Sequence, residues 1–317
     1  MQVQQLYAEI TARIIEGLEQ GVKPWQRGWD ADVPLTLPRN AFTGKEYRGS
    51  NVLWLWCARE QCGFSAHVWL TYRQAQELLA KQAEARGVTV VKHHSRRGGT
   101  YFTDAQGQPL GGVRRGAKAA HCVRYVVKEG DEEESSEHED RRIIPCAFTV
   151  FNLDQVEGIE REAVPPAWEE LDAAERLIAQ ANQSGEVAFY EEGVRAYYSR
   201  TQDCIVMPPR GRFSEQYDWY ATVLHELVHA TGAPQRLNRT AGVHGSPEYA
   251  FEELVADLGA AFLCARFGIK GNHTTHESYI ASWLEVLNRD KLAVIRAARL
   301  AEEAVTYLLD RYGATEH

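Results

Sequence analysis

Apolar residues recur every three or four positions in several stretches of the chain, and each such stretch predicts an amphipathic helix. Alternating or short apolar runs bounded by turn residues predict strands between them. In the first half, helices are predicted at about 6–20, 51–61 and 71–85, and strands at 88–93, 101–102, 121–128 and 144–151. This order of elements predicts a mixed α+β domain.

The second half repeats this mixture after a proline pair at Pro165 and Pro166, where we place the domain boundary. A helix is predicted at 173–183, strands at 187–190, 196–199 and 203–207, two amphipathic helices around 220–231 and 249–263, and a final pair at about 275–290 and 291–311. We therefore expect two α+β domains, residues 1–160 and 165–317, with an acidic loop at 129–142 inside the first.

The composition is that of an ordinary globular protein, with 44% hydrophobic and 25% charged residues. No apolar run approaches the ~20 residues of a membrane span. The first residues lack the basic and apolar regions of a signal peptide. Six cysteines are scattered without a Cys-x-x-Cys pair, which favours reduced thiols. We expect a cytoplasmic protein without a membrane partner.

Charge is distributed unevenly along the chain. Residues 1–128 contain 18 lysines and arginines against 10 acidic residues, whereas residues 149–317 contain 15 against 26. The segment 129–148 is also acidic, with 2 basic against 8 acidic residues. A basic first half beside an acidic second half predicts a polyanionic partner for the first half alone.

Aromatic residues are interleaved with these basic residues. Aromatic rings can stack on bases while basic side chains contact phosphates, which is how single-stranded nucleic acid is bound without sequence preference. The alternative is that the tryptophans fill a core and the charges are solvated. The candidate DNA contacts are Trp25, Arg27, Lys45, Tyr47, Arg48, Asn51, Tyr72, Arg73, Arg114, Arg115 and Lys118.

A metal motif occurs in the second half, at His225-Glu226-Leu227-Val228-His229. Histidines at i and i+4 lie on one side of a helix and can share a zinc ion. The carboxylate of Glu226 would then take a proton from a zinc-activated water molecule. Gly232 and Pro234 are expected to end this helix.

A catalytic zinc takes a third protein ligand. The extended motif would place a histidine six residues after His229, but Gln235 stands there. His244, Glu252 and Glu253 remain candidates. We favour Glu253. Glu253 and Asp257 are one turn apart on an alanine-rich helix, where burying a carboxylate costs free energy unless it binds a metal ion or a hydrogen-bond partner.

The roles of the neighbouring residues follow from this choice. Asp257 would accept the ring N–H of a metal-bound histidine. Tyr249, His244 and Arg239 are open alternatives for stabilising an oxyanion. Zn²⁺ is the expected ion, although another divalent ion such as Mn²⁺ suits the same ligands.

Several segments of the chain resemble those of a known family. In the first half they are Lys23-Pro24-Trp25, Tyr47-Arg48-Gly49-Ser50-Asn51, Trp69-Leu70-Thr71-Tyr72-Arg73, Gly112-Val113-Arg114-Arg115-Gly116 and Val150-Phe151-Asn152-Leu153-Asp154-Gln155. In the second half they are Met207-Pro208-Pro209, the metal motif, Arg236-Leu237-Asn238-Arg239 and Phe251-Glu252-Glu253-Leu254-Val255-Ala256. This ordered set resembles the ArdC family of plasmid antirestriction proteins, which is related to the N-terminal region of TraC primase.

The resemblance implies an N-terminal α+β domain that binds single-stranded DNA non-specifically, followed by a zincin-like α+β metallopeptidase domain with two histidines and one glutamate as ligands. It also implies a role in protecting plasmid DNA from host restriction during conjugation. Our first hypothesis adds that the metallopeptidase domain cleaves a host protein. Carried onto this chain, the ligands are His225, His229 and Glu253, with Glu226 as the base. Two alternatives stay open: a DNA-coating protein with a silent metal domain, and a general intracellular metallopeptidase.

Overall fold

The computed structural model describes residues 3–20, 23, 25, 36–95, 99–128, 142–160, 168–213, 215–240, 242–269 and 278–313. For residues 128, 142, 168–171 and 278 it describes the backbone alone. Arg27 and residues 129–141 of the predicted acidic loop lie outside the described residues. Among the residues that are described, no helix is long and apolar enough to cross a membrane.

The chain divides into two compact units that differ from a simple N-terminal and C-terminal half. Unit 1 comprises residues 1–7, 38–47 and 57–163, and unit 2 comprises residues 8–37, 48–56 and 164–317. Residues 8–37 and 48–56, which we expected in the first domain, therefore belong to unit 2. Sequence periodicity could not predict that these two segments belong to unit 2, because it reports on local structure and not on the core against which a segment packs.

The helices and strands follow the predicted order. The helices are α1 (Val3–Glu19), α2 (Ser50–Cys62), α3 (Tyr72–Ala85), α4 (Trp168–Gln183), α5 (Gln216–Thr231), α6 (Pro247–Arg266), α7 (Ser278–Arg289) and α8 (Ala293–Tyr312). The strands are β1 (Arg39–Asn40), β2 (Val68–Leu70), β3 (Val91–His94), β4 (Thr100–Thr103), β5 (Gly112–Val113), β6 (Ala120–Lys128), β7 (Arg142–Asn152), β8 (Val156–Glu157), β9 (Ala188–Glu191), β10 (Tyr197–Ser199) and β11 (Cys204–Met207). The sequence pattern missed β1, β2, β5 and β8, which are too short to show a period.

Unit 1 is built on a four-stranded sheet with the order β1-β2-β7-β6. β1 and β2 are parallel, whereas β2 with β7 and β7 with β6 are antiparallel. α3 starts directly after β2, because Thr71 and Gln74 form a capping box that satisfies the first backbone N–H groups. Its Ala75 and Leu79 pack against Leu70 in the core of this unit.

Unit 2 combines a three-stranded sheet, order β10-β11-β9, with the remaining helices. α6 is buried on nearly every side from Ala250 to Ala265, as expected of a helix whose residues are apolar all round. Gly259 allows α6 to approach α5 closely, since a Cβ there would lie 2.9 Å from the methyl carbons of Val228. This close approach brings the metal motif on α5 next to the glutamates on α6.

Candidate metal centre

The two histidines of the motif lie on α5, one helical turn apart. α5 buries the valines and leucines between residues 223 and 228 and ends at Gly232, as predicted. The ring centroids of His225 and His229 are 4.7 Å apart. The helix therefore presents two imidazoles to one neighbouring side chain on α6.

That side chain is Glu253. α6 begins at Pro247, and the Ser246 side chain caps it by accepting a backbone hydrogen bond from its first turn. Glu253 Oε2 lies 3.6 Å from Nε2 of His225, and Oε1 lies 3.4 Å from Nε2 of His229. The carboxylate thus faces both histidine Nε2 atoms at once.

The three side chains fit a small divalent ion. Within the described part of the chain they form a group whose ligand atoms all lie within 4.8 Å of one another. Zinc bonds of about 2.0–2.1 Å in tetrahedral geometry separate neighbouring ligand atoms by about 3.3 Å. The separations between Glu253 and the two histidines are close to that value, so little movement would be needed to bind an ion.

Charge is concentrated at this point of unit 2. Burial disfavours the charged imidazolium of His229, but hydrogen bonds to Glu252 and Glu253 outweigh burial and raise its pKa to about 10. Burial likewise disfavours the Glu253 carboxylate, yet its hydrogen bonds to His225 and His229 hold its pKa far below the usual range. The carboxylates therefore favour a positive charge on the imidazole of His229. A bound divalent cation would supply that positive charge instead.

Glu226 and two tyrosines complete the polar surroundings of the trio. Glu226 is buried, and its charge contributes to the raised pKa of His229. Tyr249 Oη lies 3.0 Å from Tyr279 Oη. Burial, the hydrogen bond with Tyr279 and the charge of Glu253 raise the pKa of Tyr249. Burial also raises the pKa of Tyr279, so both hydroxyls stay protonated at neutral pH and can donate hydrogen bonds.

These contacts separate the three candidates for stabilising an oxyanion. Arg239 is buried and donates to Glu252, Thr231 and the Val228 carbonyl oxygen. His244 packs its ring against Tyr249, with centroids 4.8 Å apart. Tyr249, the third candidate, has a hydroxyl that hydrogen-bonds to Glu253. Sequence reasoning missed Tyr279, since no motif surrounds it.

The expected role of Asp257 is not the one that the structure gives it. Asp257 Oδ2 accepts a hydrogen bond of 2.6 Å from Trp25 Nε1 and lies 3.5 Å from Lys23 Nζ. His229 instead directs its Nδ1 atom to Glu252 Oε1, at 3.4 Å. At about 100° per residue, positions 252 and 257 lie about 140° apart around α6, and only the packing of α6 decides which of them meets the histidine.

Among the described residues, three of the predicted DNA contacts belong to unit 2: Trp25, Arg48 and Asn51. Trp25 is 1% exposed, so its ring has no free face on which a base could stack. Its assignment to a DNA-binding surface is therefore corrected, since the ring packs against Trp283 and its N–H is bound to Asp257. Arg48 keeps 71% of its side chain exposed beside Glu302, and Asn51 is half-buried on α2.

Other predicted contacts lie together at one edge of the unit 1 sheet. Because β1 and β2 are parallel, their carboxyl ends meet there, and Asn40 Nδ2 donates to Gln74 Oε1 at 3.0 Å across the junction. We call this surface the aromatic–basic edge. It consists of Phe42 (42% exposed), Lys45, Tyr72 (45% exposed) and Arg73.

Within this edge, Arg73 keeps 84% of its side chain exposed although it pairs with Glu77 at 2.7 Å. Such exposed pairs contribute little energy, so the guanidinium stays available to a phosphate. Tyr47 differs, because it is half-buried and its hydroxyl accepts a hydrogen bond from Asn40. Burial raises its pKa to about 12. Phe42, which lies beside Lys45, was not among the predicted contact residues.

The last three predicted contacts follow β5 and are held by a different part of unit 1. The backbone N–H of Arg114 donates to the Gln155 carbonyl oxygen at 2.8 Å, and its guanidinium donates to the Asp154 carbonyl oxygen. Lys118 accepts from Gln155 Nε2 through its own carbonyl oxygen at 3.0 Å. The side chains of Arg115 and Lys118 are exposed, so they form a second basic turn.

Two family models match the chain. The model of the N-terminal domain of the anti-restriction factor ArdC matches residues 4–151, and a zincin-like metallopeptidase model matches residues 172–300. These matches confirm the predicted fold class, an α+β N-terminal domain followed by a zincin-like α+β domain.

Whole-chain relatives support the same conclusion. An uncharacterised protein, y4eC of Sinorhizobium fredii, is 34% identical over 310 residues, which cover 96% of this chain and 91% of that protein. The DNA primase TraC of Escherichia coli is 32% identical over 307 residues, but the chain spans only 27% of that primase.

Two crystal structures of the antirestriction protein ArdC from plasmid R388 are similar along their whole length. The metal-free structure has a TM-score of 0.72 and 31% identity, and 97% of each chain is covered. The Mn(II)-bound structure has a TM-score of 0.70 and 30% identity, with 98% of this chain and 99% of that chain covered.

Proposed function

This chain belongs to the ArdC family of antirestriction proteins, and we propose that it protects incoming plasmid DNA from host restriction during conjugation. In this proposal unit 1 binds single-stranded DNA without sequence preference. Unit 2 holds a divalent ion, Zn²⁺ or Mn²⁺, in a metallopeptidase-like site whose substrate would be a host protein.

The aromatic–basic edge is the observation that carries the DNA-binding proposal. It offers two exposed rings, Phe42 and Tyr72, beside two exposed cations, Lys45 and Arg73. Stacking on an aromatic ring contributes about 1–3 kcal/mol per base, and contacts to phosphates add a salt-dependent share without reading the sequence. These are the contacts that a protein needs to cover any single strand.

The DNA-binding proposal is tested by fluorescence anisotropy with a labelled oligothymidylate over a series of salt concentrations. Tyr72→Ala should weaken binding by about tenfold, the loss expected for one stacked base. Arg73→Ala should reduce the slope of the logarithm of the binding constant against the logarithm of the salt concentration by about 0.7. Tyr190→Ala and Arg299→Ala, which alter an exposed tyrosine and an i,i+4-paired arginine of unit 2, are the matched controls. Equal affinities in all four variants would remove the edge from the DNA site.

For unit 2 we propose His225, His229 and Glu253 as the metal ligands. A divalent ion at this position would activate a water molecule and polarise a peptide carbonyl group. Glu226, adjacent to His225, would take the proton from that water and return it to the departing amine. The Tyr249 and Tyr279 hydroxyls, which both interact with the charge of Glu253, would donate to the developing oxyanion.

The contribution of peptide hydrolysis to protection is measured with Glu226→Gln, which keeps the size of the side chain and removes its basicity. An unmodified plasmid is transferred by conjugation into restricting and non-restricting recipients, with the wild-type or the variant chain present. We expect Glu226→Gln to protect like the wild type, because coating of the strand can exclude a nuclease by itself. Loss of protection would instead make proteolysis of a host protein part of the mechanism.

A further inference from the structure

A second glutamate on α6 contacts the metal-binding trio from the side opposite to Glu253. Glu252 is buried, and its Oε1 lies 3.4 Å from Nδ1 of His229. Glu253 Oε1 lies 3.4 Å from Nε2 of the same ring. Two consecutive residues of α6 therefore hold one imidazole at both of its nitrogen atoms.

Glu252 is itself fixed by Arg239. The guanidinium donates through Nη2 to Oε1 at 2.7 Å and through Nε to Oε2 at 3.0 Å. This two-point geometry orients a carboxylate more tightly than a single contact can. Both carboxylate oxygens of Glu252 thus have a charged donor before the histidine is counted.

Arg239 is anchored on the other side by α5. It donates to Thr231 Oγ1 at 2.7 Å and to the Val228 carbonyl oxygen at 2.7 Å, positions that flank His229. Gly232 leaves room for it, since a Cβ there would lie 3.0 Å from Arg239 Nη2. The arginine therefore joins the end of α5 to the carboxylate that faces His229.

The other histidine lacks an equivalent contact. Nδ1 of His225 is buried and has no hydrogen-bond partner among the residues that the structure describes. Orientation through Nδ1 is therefore specific to His229.

We propose that Glu252 and Arg239 are positioning residues of the metal centre. Glu252 accepts the Nδ1 proton of His229, which leaves the lone pair of Nε2 directed toward Glu253, and Arg239 holds the Glu252 carboxylate in that orientation. The inference rests on the proposed ligand set. Losing such an outer partner of a metal-bound histidine lowers metal affinity by about 10- to 100-fold.

The test is the affinity of the full chain for Zn²⁺, measured by competition with a chromophoric chelator. Glu252→Gln should weaken binding by about tenfold or more, and Arg239→Lys should act in the same direction because lysine cannot make the two-point contact. Asp257→Asn should leave the affinity within about threefold of wild type, because Asp257 contacts Trp25 and Lys23 instead of a histidine.

Two controls separate positioning from a general loss of structure. Arg236→Lys alters another arginine of the same turn, which pairs with Asp203, and should not change Zn²⁺ affinity. In the Zn²⁺-loaded wild type, the Nδ1 proton of His229 should give a slowly exchanging NMR resonance, and Glu252→Gln should shift or broaden it. This spectroscopic change would not follow from destabilisation elsewhere in unit 2.

The outcomes distinguish the inference from the proposal on which it rests. If His229→Gln abolishes Zn²⁺ binding while Glu252→Gln and Arg239→Lys bind like wild type, the positioning role is wrong and the ligand set stands. Wild-type affinity in His229→Gln would overturn both.

Discussion

Replacing Trp25 by phenylalanine removes one buried hydrogen bond from unit 2. The indole N–H donates to Asp257 at 2.6 Å, while the ring lies 5.9 Å from that of Trp283. Phenylalanine keeps an aromatic ring in this place but has no donor. The Asp257 carboxylate is then left with Lys23, whose Nζ is 3.5 Å away and also buried.

The expected cost follows from the charge of the acceptor. A hydrogen bond to a charged group contributes about 1.5–3 kcal/mol, and leaving the acceptor buried without its donor forfeits that contribution. Unfolding of a domain of 150–250 residues shifts by about 2–4 °C per kcal/mol. A loss of about 2 kcal/mol should therefore lower the melting temperature of unit 2 by roughly 4–8 °C.

The assay is thermal unfolding of the full chain, followed by calorimetry, with Trp54→Phe as the matched control. Trp54 is also buried in unit 2, and its Nε1 has no hydrogen-bond partner among the described residues. The two substitutions remove the same atoms, and a phenylalanine at position 54 keeps a ring facing Arg13, whose guanidinium carbon lies 4.5 Å from the Trp54 ring centroid. The difference between their melting temperatures therefore reports mainly on the hydrogen bond to Asp257. Single-stranded DNA affinity is measured in parallel and should be unchanged in Trp25→Phe.

The opposite pattern would refute this reasoning. If Trp25→Phe melts like Trp54→Phe but binds single-stranded DNA ten times more weakly, then Trp25 contacts DNA and its burial against Asp257 does not describe the protein in solution.

Three further predictions concern the metal centre. Gly259→Ala should destabilise unit 2 by about 1–3 kcal/mol, because its Cβ would lie 2.9 Å from the Val228 methyl carbons. The control is Gly211→Ala, whose Cβ would have no atom within 4 Å. Equal melting temperatures of the two variants would contradict the close approach of α5 and α6. Zn²⁺ at about 100 times its Kd should raise the free energy of unfolding by about 2.7 kcal/mol, and a chelator titration that leaves the melting temperature unchanged would argue against a bound ion. Tyr279→Phe should lower the turnover of casein by the Zn²⁺-loaded chain by about 100-fold with unchanged Zn²⁺ affinity, whereas unchanged turnover would remove Tyr279 from catalysis.

The long elements were predictable from the sequence because each carries its own local signal. The capping box of Thr71 and Gln74 marks the start of α3, and Gly232 marks the end of α5. The histidine spacing places two imidazoles on one side of α5 without any tertiary information. Two-residue strands such as β1 lack such a signal, since their backbone is extended only because a neighbouring strand pairs with it.

The neighbours of the metal centre were less predictable, because packing decides them. Glu252 and Asp257 are both carboxylates on α6, and the sequence alone favoured Asp257 as the histidine partner. The rotation of α6 against α5 turns Glu252 toward His229, and Trp25, more than 200 residues away in sequence, reaches Asp257. A contact between such distant segments leaves no trace in local periodicity.

The proposed DNA-binding surface shows the same limit. Aromatic and basic residues were recognisable as a group, but the sequence could not separate a ring in the core, such as Trp25, from a ring on the surface, such as Tyr72. The structure separates them by exposure and brings Phe42 beside the predicted residues through the parallel pairing of β1 and β2.

Conjugative transfer tests the central claim most directly, namely that unit 1 protects the plasmid by binding its single strand. An unmodified plasmid is transferred into restricting and non-restricting recipients in the presence of the wild-type chain or of Tyr72→Ala combined with Arg73→Ala. The ratio of the two transfer frequencies is the measure of protection. We predict that the double variant, folded and with weakened single-strand affinity, gives the ratio seen without the protein. Full protection by that variant would contradict the account.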